Sequence, residues 1–119
     1  MLPMIRTRWG RIVTTSSVAA LMGNRGQVNY AAAKGALNSA TRALALEVAT
    51  RGITVNAVAP GIIATGMTDT MFDEETIARL VPMKRVGQPE EVANLVAFLV
   101  SEEAAYLTAQ VISINGGMT

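Results

Sequence analysis

The spacing of apolar and polar positions along this chain changes several times, and the changes outline three strands and three helices. Arg11-Ile-Val-Thr-Thr-Ser-Ser17 follows Gly10 and is rich in branched residues that favour extended backbone, so it reads as a strand. Gly23 to Gln27, with two glycines, reads as a loop. A helix is predicted from about Asn29 to Thr50, with Leu37, Ala40, Leu44 and Val48 recurring at three- and four-residue steps as its packed face. Its many alanines add helix propensity and allow close packing. Gly52 stands where a helix C-cap is expected. Ile53 to Ala59 is a second strand, stopped by Pro60-Gly61, and no regular element is expected between Ile62 and Asp69. Asp73 is the N-cap of a short helix ending at Leu80. Pro89 opens another helix, which runs to about Ser101 with Glu90 and Glu91 at its positive end. Gln110 to Asn115 is the third strand, ended by Gly116-Gly117.

Strand, helix, strand, helices, strand is the order of βαβ units and predicts an α/β fold with a parallel sheet. Three strands make a thin sheet, and one of its faces is expected to lack helices. With no repeat, low-complexity tract or linker, every element reads as part of one larger domain. Composition points the same way. Half of the 119 residues are hydrophobic and 16% are charged, an apolar excess for a chain with so much surface to cover. Some apolar faces should therefore meet something outside these residues.

Charge and residue type narrow the chemistry. The net charge is +1 and the ten Lys and Arg are dispersed, which gives no basic stripe for nucleic acid. Without cysteine there is neither a disulfide framework nor a thiolate zinc site. Without histidine, acid–base work falls to Tyr, Lys or a carboxylate. The N-terminus is basic but lacks the apolar region of a signal peptide. The apolar stretch Val92 to Val100 is broken by Asn94 and is too short to span a bilayer. A soluble, cytoplasmic protein without membrane contact is expected.

Three places carry candidate chemistry. Tyr30 and Lys34 are four residues apart near the start of the long helix, hence on one face. A cation beside a phenol favours its ionised form, so such a tyrosine can act as acid or base without histidine. By itself the pair also reads as an ordinary solvated one. Ser17, thirteen residues before Tyr30, stands at the C-terminal end of a predicted parallel strand, the edge where open α/β sheets bind ligands. A plain strand-to-loop turn explains it equally well. Pro60-Gly61-Ile-Ile-Ala-Thr65 follows the next strand at the same edge, either as a turn or as a set of exposed amides with a hydroxyl.

Taken together, Ser17, Tyr30-x-x-x-Lys34, Asn56-Ala-Val-Ala-Pro-Gly-Ile-Ile-Ala-Thr65, Gly87-Gln-Pro-Glu-Glu-Val-Ala and Ile114-Asn-Gly-Gly resemble the second half of the short-chain dehydrogenase/reductase family. Gly23-Asn-Arg-Gly-Gln-Val-Asn-Tyr30 and Arg51-Gly-Ile-Thr-Val-Asn56 are similar to the bacterial 3-oxoacyl-[acyl-carrier-protein] reductases within it. The resemblance covers about Arg6 to Met118. It implies that residues 1–119 are one partial domain, the C-terminal half of a doubly wound, Rossmann-like parallel sheet, without the N-terminal dinucleotide-binding half. The glycine-rich pyrophosphate loop and the Asn-Asn-Ala-Gly motif of that half do not occur here. Met1 to Trp9 resembles the end of the helix that carries the family's catalytic asparagine. Ala109 stands where the family often has glycine.

The resemblance also implies roles. Ser17 would orient and polarise the substrate carbonyl, Tyr30 would donate the proton, and Lys34 would hold the nicotinamide ribose and support the tyrosine. Pro60 and Gly61 shape a loop in which Ile63, through its backbone, and Thr65 would hold the nicotinamide carboxamide. The implied reaction is NADPH-dependent reduction of a 3-oxoacyl thioester on acyl carrier protein, with NAD as the alternative to NADP. The complete protein is expected to be a homotetramer or dimer, and these residues alone are expected to be inactive. Two alternatives stay open: a short-chain dehydrogenase for another alcohol or ketone, and a non-catalytic truncated product that only associates with full-length subunits. An acidic carrier protein calls for isolated cations near the site mouth. Arg8 and Arg51, each beside a strand start, match arginines implicated in docking, although Arg51 is also favourable simply as a cation at a helix C-terminus.

Overall fold

The computed structural model describes the backbone of residues 1–119 and every side chain except those of Met67 and Asp69. Its spine is Ile53–Pro60 (β2), buried from Ile53 through Ala59. A strand buried on both faces belongs in the middle of a parallel sheet. On one side β2 pairs with Gly10–Thr15 (β1), from Gly10 opposite Ile53 to Thr15 opposite Val58. On the other it pairs with Val111–Ile114 (β3), from Ala57 opposite Val111 to Pro60 opposite Ile114. All pairs are parallel and the order is β1-β2-β3, so the expected α/β fold with a parallel sheet is present.

The helices are Leu2–Thr7 (α1), Ala19–Met22 (α2), Val28–Val48 (α3), Gly66–Met71 (α4), Glu74–Leu80 (α5) and Pro89–Leu99 (α6). Asp73 caps α5 as expected, accepting from the Thr76 N–H at 2.8 Å, and Gly52 follows the turn after α3 with φ 71°. Two short helices, α2 and α4, go beyond the sequence expectation. The segment left without structure holds α4 because Thr65 and Thr68 cap each other: the Thr68 N–H donates to Thr65 Oγ1 at 3.2 Å and the Thr65 N–H to Thr68 Oγ1 at 2.7 Å. That box has threonine where glutamate or glutamine is the usual signal.

The packed stripe of α3 also differs. Its buried residues are Asn38, Thr41, Ala45 and Val48, whereas Ala40 is exposed and Leu37 and Leu44 are only partly covered. Small and polar side chains let the helix lie close to the sheet, where Thr14 and Thr41 share a 2.8 Å hydroxyl–hydroxyl bond. Ala45 and Val48 join Ile53 and Val55 in the core, with Met4, Ile5 and Ile12 packed beside them. Strand residues alternate between faces. The α3 side therefore carries Ile12, Thr14, Ile53 and Val55, while Arg11 points the other way and reaches the Ser101 carbonyl, just past α6, at 3.1 Å. Each face of the sheet thus carries a helix, contrary to the expectation that one would lack them.

Residues 107–110 are fastened to β2 ahead of β3. The buried Asn56 amide donates to the Leu107 carbonyl at 2.9 Å and accepts from the Gln110 N–H at 3.1 Å. The Ala109 N–H donates to the Val55 carbonyl at 2.8 Å. This docking holds Ala109 at φ 62°, the left-handed region that penalises a Cβ. Ala109→Gly removes that strain at the cost of a more flexible unfolded chain. The expected net effect is a stabilisation of about 0.5–1 kcal/mol in urea melts of the full-length protein; destabilisation would mean that packing of the Ala109 methyl outweighs its backbone strain.

Candidate active site

Parallel pairing brings the C-terminal ends of the strands to one edge, and hydrogen bonds continue the pairing beyond them. The Ser16 N–H donates to the Val58 carbonyl at 2.7 Å and the Val18 N–H to the Pro60 carbonyl at 2.9 Å. Ser17 is therefore held beside the end of β2, two residues beyond β1. Its Oγ accepts from the Ala19 N–H at 3.2 Å, which leaves the hydroxyl proton for another acceptor. The Gly61 N–H donates to the Ile114 carbonyl at 3.0 Å, tying the exit of β2 to the end of β3. Glycine is required there by space: a Cβ would lie 2.7 Å from Asn115 Cβ and 2.9 Å from its Cα.

Tyr30 and Lys34 lie in the first two turns of α3, on the face turned toward this edge. The Lys34 ammonium donates to the Thr15 carbonyl at 2.9 Å and lies 5.8 Å from the centre of the Tyr30 ring. One ammonium thus links the end of β1 to the tyrosine and keeps two further protons to donate. The Ser16 hydroxyl donates to the Lys34 carbonyl at 3.3 Å, a second tie between the helix and the turn that carries Ser17. Tyr30 is 43% exposed, accessible to a ligand.

The loop after Pro60 is fixed from outside. Ile63 forms a parallel bridge with Gly87, in which the Ala64 N–H donates to the Gly87 carbonyl at 2.8 Å and the Gly87 N–H to the Ile62 carbonyl at 2.9 Å. In such a bridge the bonded groups belong to the flanking residues, so the N–H and C=O of Ile63 itself point to the opposite side. Thr65 Oγ1 accepts from Thr68, and so has its hydroxyl proton left to give.

Arg8 and Arg51 lie elsewhere. Arg8 Nη2 donates to the Thr50 carbonyl at 2.9 Å, next to Arg51. Both precede strand starts, at the edge opposite Ser17. β1 alone spans roughly 20 Å, so the pair does not flank the mouth of this chain's own site.

One feature of the edge escaped the sequence reading. Glu91 receives both terminal nitrogens of Arg85, Nη2 on Oε1 at 2.8 Å and Nη1 on Oε2 at 2.9 Å, and Oε2 also accepts from the Gln88 N–H at 2.8 Å. The legible signal was Gln88-x-x-Glu91 ahead of an apolar run, a capping-box spacing.

The sequence family described as enoyl-(acyl carrier protein) reductase matches residues 1–119. The chain is 54% identical over 119 residues to the 3-oxoacyl-[acyl-carrier-protein] reductase FabG of Aggregatibacter actinomycetemcomitans, covering 99% of this chain and 49% of that protein. It is 52% identical over 120 residues to the FabG of Escherichia coli, again covering 99% and 49%. The Aquifex aeolicus FabG is 52% identical over 117 residues, 97% of this chain and 47% of that protein. The chain belongs to the short-chain dehydrogenase/reductase family. It spans about half the length of these relatives.

Among the described residues of this family segment, Glu91 is the group whose titration is most altered. The Arg85 hydrogen bonds first, and the Gln88 N–H second, lower its pKa from 4.5 to about 2. A lowered carboxylate pKa means that the clamp is complete above pH 4.5 and is lost as the pH falls through about 2. The carboxyl carbon of Glu91, followed by NMR, should titrate with a midpoint near 2. A midpoint in the ordinary glutamate range would mean that the clamp is open in solution.

Proposed function

We propose that this edge is one half of a reductase site that reduces the 3-oxo group of an acyl thioester carried on acyl carrier protein. NADPH is the proposed cofactor, with NADH as the alternative, and a cytoplasmic location accompanies this reading. The observation that carries it is the Lys34 ammonium, 2.9 Å from the Thr15 carbonyl and 5.8 Å from the Tyr30 ring, beside a turn that holds Ser17. The three FabG relatives, named as 3-oxoacyl-[acyl-carrier-protein] reductases, support the substrate class.

The donor set suits a nicotinamide carboxamide, which has one carbonyl acceptor and one amide donor group. The Ile63 N–H and the Thr65 hydroxyl proton can serve the carbonyl, and the Ile63 C=O can serve the amide. Lys34 has two protons left for ribose hydroxyls. When bound, the reduced nicotinamide supplies the hydride. The residues of this chain supply position and a proton. The Ser17 hydroxyl, an acceptor toward Ala19, donates to the substrate carbonyl oxygen and fixes its orientation. As that oxygen becomes an alkoxide, it takes the Tyr30 phenolic proton, and the Lys34 ammonium stabilises the phenolate left behind. Ketone, hydride and proton thus balance to a secondary alcohol. Association into a dimer or tetramer is part of this proposal, supported by apolar side chains left outside, such as Leu46 on α3, 78% exposed.

In the full-length protein, Tyr30→Phe should lower kcat by at least ~100-fold with 3-oxoacyl substrate, with little change in melting temperature because the ring stays. An unchanged kcat would remove the central role of Tyr30.

Carrier docking at Arg8 and Arg51 belongs to the same proposal. A carrier seated there lies a strand length from Ser17 of the same chain, so it reaches that site by a long tether or serves the site of a second copy. Arg8→Glu with Arg51→Glu should raise KM for carrier-linked substrate, with an effect that shrinks at high salt. A small thioester without the carrier should react as before. Equal loss on both substrates would assign the arginines to the fold.

A further inference from the structure

The Arg85–Glu91 clamp stands outside the residues that touch substrate or cofactor in the proposed function, yet its geometry leads back to them. One carboxylate fixes both ends of a four-residue segment. It binds the guanidinium of Arg85 through both oxygens, and it accepts the Gln88 N–H. Arg85 Nη1 also donates to the Val86 carbonyl at 3.1 Å, which draws the intervening backbone into the same arrangement. Gly87 lies inside this segment, and it is Gly87 that bridges to the 62–64 loop through the Ala64 and Gly87 amides.

The bridge is closely packed on the Ile63 side. A Cβ on Gly87 would stand 2.8 Å from Ile63 Cδ1, 3.7 Å from Glu91 Oε2 and 3.8 Å from the Ile62 carbonyl. The loop, the glycine and the carboxylate are thus packed in sequence. The clamp itself is open to water, with the Arg85 and Glu91 side chains 50% and 41% exposed. Exposed ion pairs add little to global stability, but a bidentate pair that also caps a helix restricts geometry strongly. Among the described residues it is the one salt bridge, with Arg85 Nη2 2.8 Å from Glu91 Oε1. It sits against the loop that carries the Ile63 backbone groups left out of the bridge and the Thr65 hydroxyl.

We infer that the Arg85–Glu91 clamp is a positioning device that sets the register of Gly87 against Ile63, and so holds the Ile63 backbone and Thr65 in place for the nicotinamide carboxamide. This rests on the proposed cofactor role of that loop. Arg85 and Glu91 are positioning residues: they act through Gly87 and touch no reacting atom. Losing the clamp should weaken cofactor binding through a loosened loop while leaving Ser17, Tyr30 and Lys34, which other bonds hold, in place.

The test compares wild type, Arg85→Met, Arg85→Lys and Glu91→Gln in the full-length protein. Amide hydrogen exchange at Ala64 and Gly87, measured without cofactor, should accelerate roughly tenfold in Arg85→Met and at least as much in Glu91→Gln, which also loses the Gln88 cap. NADPH affinity, read by fluorescence without turnover, should fall by roughly the same factor, since binding must then order the loop. In turnover, KM for NADPH should rise far more than kcat falls. Arg85→Lys should recover part of both effects, because an ammonium keeps the charge but not the paired geometry. Unchanged exchange at Ala64 overturns the clamp. Faster exchange with unchanged NADPH affinity overturns its link to the site. A fall in melting temperature that accounts for equal losses in every readout reduces the pair to a structural role and overturns the inference. A wild-type protein that binds no nicotinamide cofactor overturns the functional reading and the link to the site, and exchange at Ala64 still decides the clamp on its own.

Discussion

Parallel pairing along β2 is the constraint on which the rest depends. A parallel strand pair sends both chains out at the same end, so whatever follows β1 and β2 in sequence must meet at one edge. The turn after β1 carries Ser17 and remains bonded to Val58 and Pro60. The exit of β2 is pressed against Asn115 at Gly61. α3, which returns the chain from β1 to β2, starts at that edge and places Tyr30 and Lys34 there. No single loop builds this cluster. It follows from three strand ends in register and one helix that leaves from their side.

That helix is positioned more by polar contacts than by an apolar stripe. Thr41 bonds Thr14, Lys34 bonds Thr15, and Ser16 bonds the Lys34 carbonyl. These contacts are directional, so they set the rotation of α3 about its axis, which area burial alone does not. For a helix that must present a phenol and an ammonium on a given side, rotation is the quantity that matters. Two buried groups, Asn38 Oδ1 and Thr54 Oγ1, have no hydrogen-bond partner among the described residues, and such groups typically cost about 1–3 kcal/mol each. The polar core is therefore specific without being fully satisfied.

The sequence disclosed what local chemistry controls. Branched residues marked the three strands, Asp73 marked the start of α5, and Pro89 with two glutamates marked α6. That Tyr30 and Lys34 share one helix face followed from helical spacing alone; their proposed role came from the family resemblance. What stayed hidden depended on contacts between distant segments. The stripe Leu37, Ala40, Leu44 and Val48 was chosen by hydrophobicity, but the sheet selected Asn38, Thr41, Ala45 and Val48, because close approach to β1 needed small groups and hydrogen bonds. α4 was hidden because a threonine–threonine cap lacks the usual acidic signal. Arg8 and Arg51 were expected as isolated cations near the site mouth, but position beside a strand start fixes the edge that a residue occupies, and that edge is the one opposite Ser17. The left-handed Ala109 was visible only as a departure from a family glycine, and the docking of residues 107–110 gives the glycine, rather than the alanine, its physical reason.

The apolar excess of the sequence also has a location. α3 turns a long row of small residues and Leu46 outward, and Phe98 on α6 is half exposed. β1 and β3 each pair on one side only, so the sheet has two open backbone edges. Open edges and exposed apolar helices are the features that folded proteins cover, by further strands or by other subunits. The FabG relatives are about twice as long as this chain. A longer sheet would add strands at β1 or at β3; at β1, whose free edge adjoins the turn that carries Ser17, covering the edge and completing the proposed site would be one structural event. On the proposed reading, the β1 edge beside Ser17 is one of the two open edges at which further ligand contacts would enter.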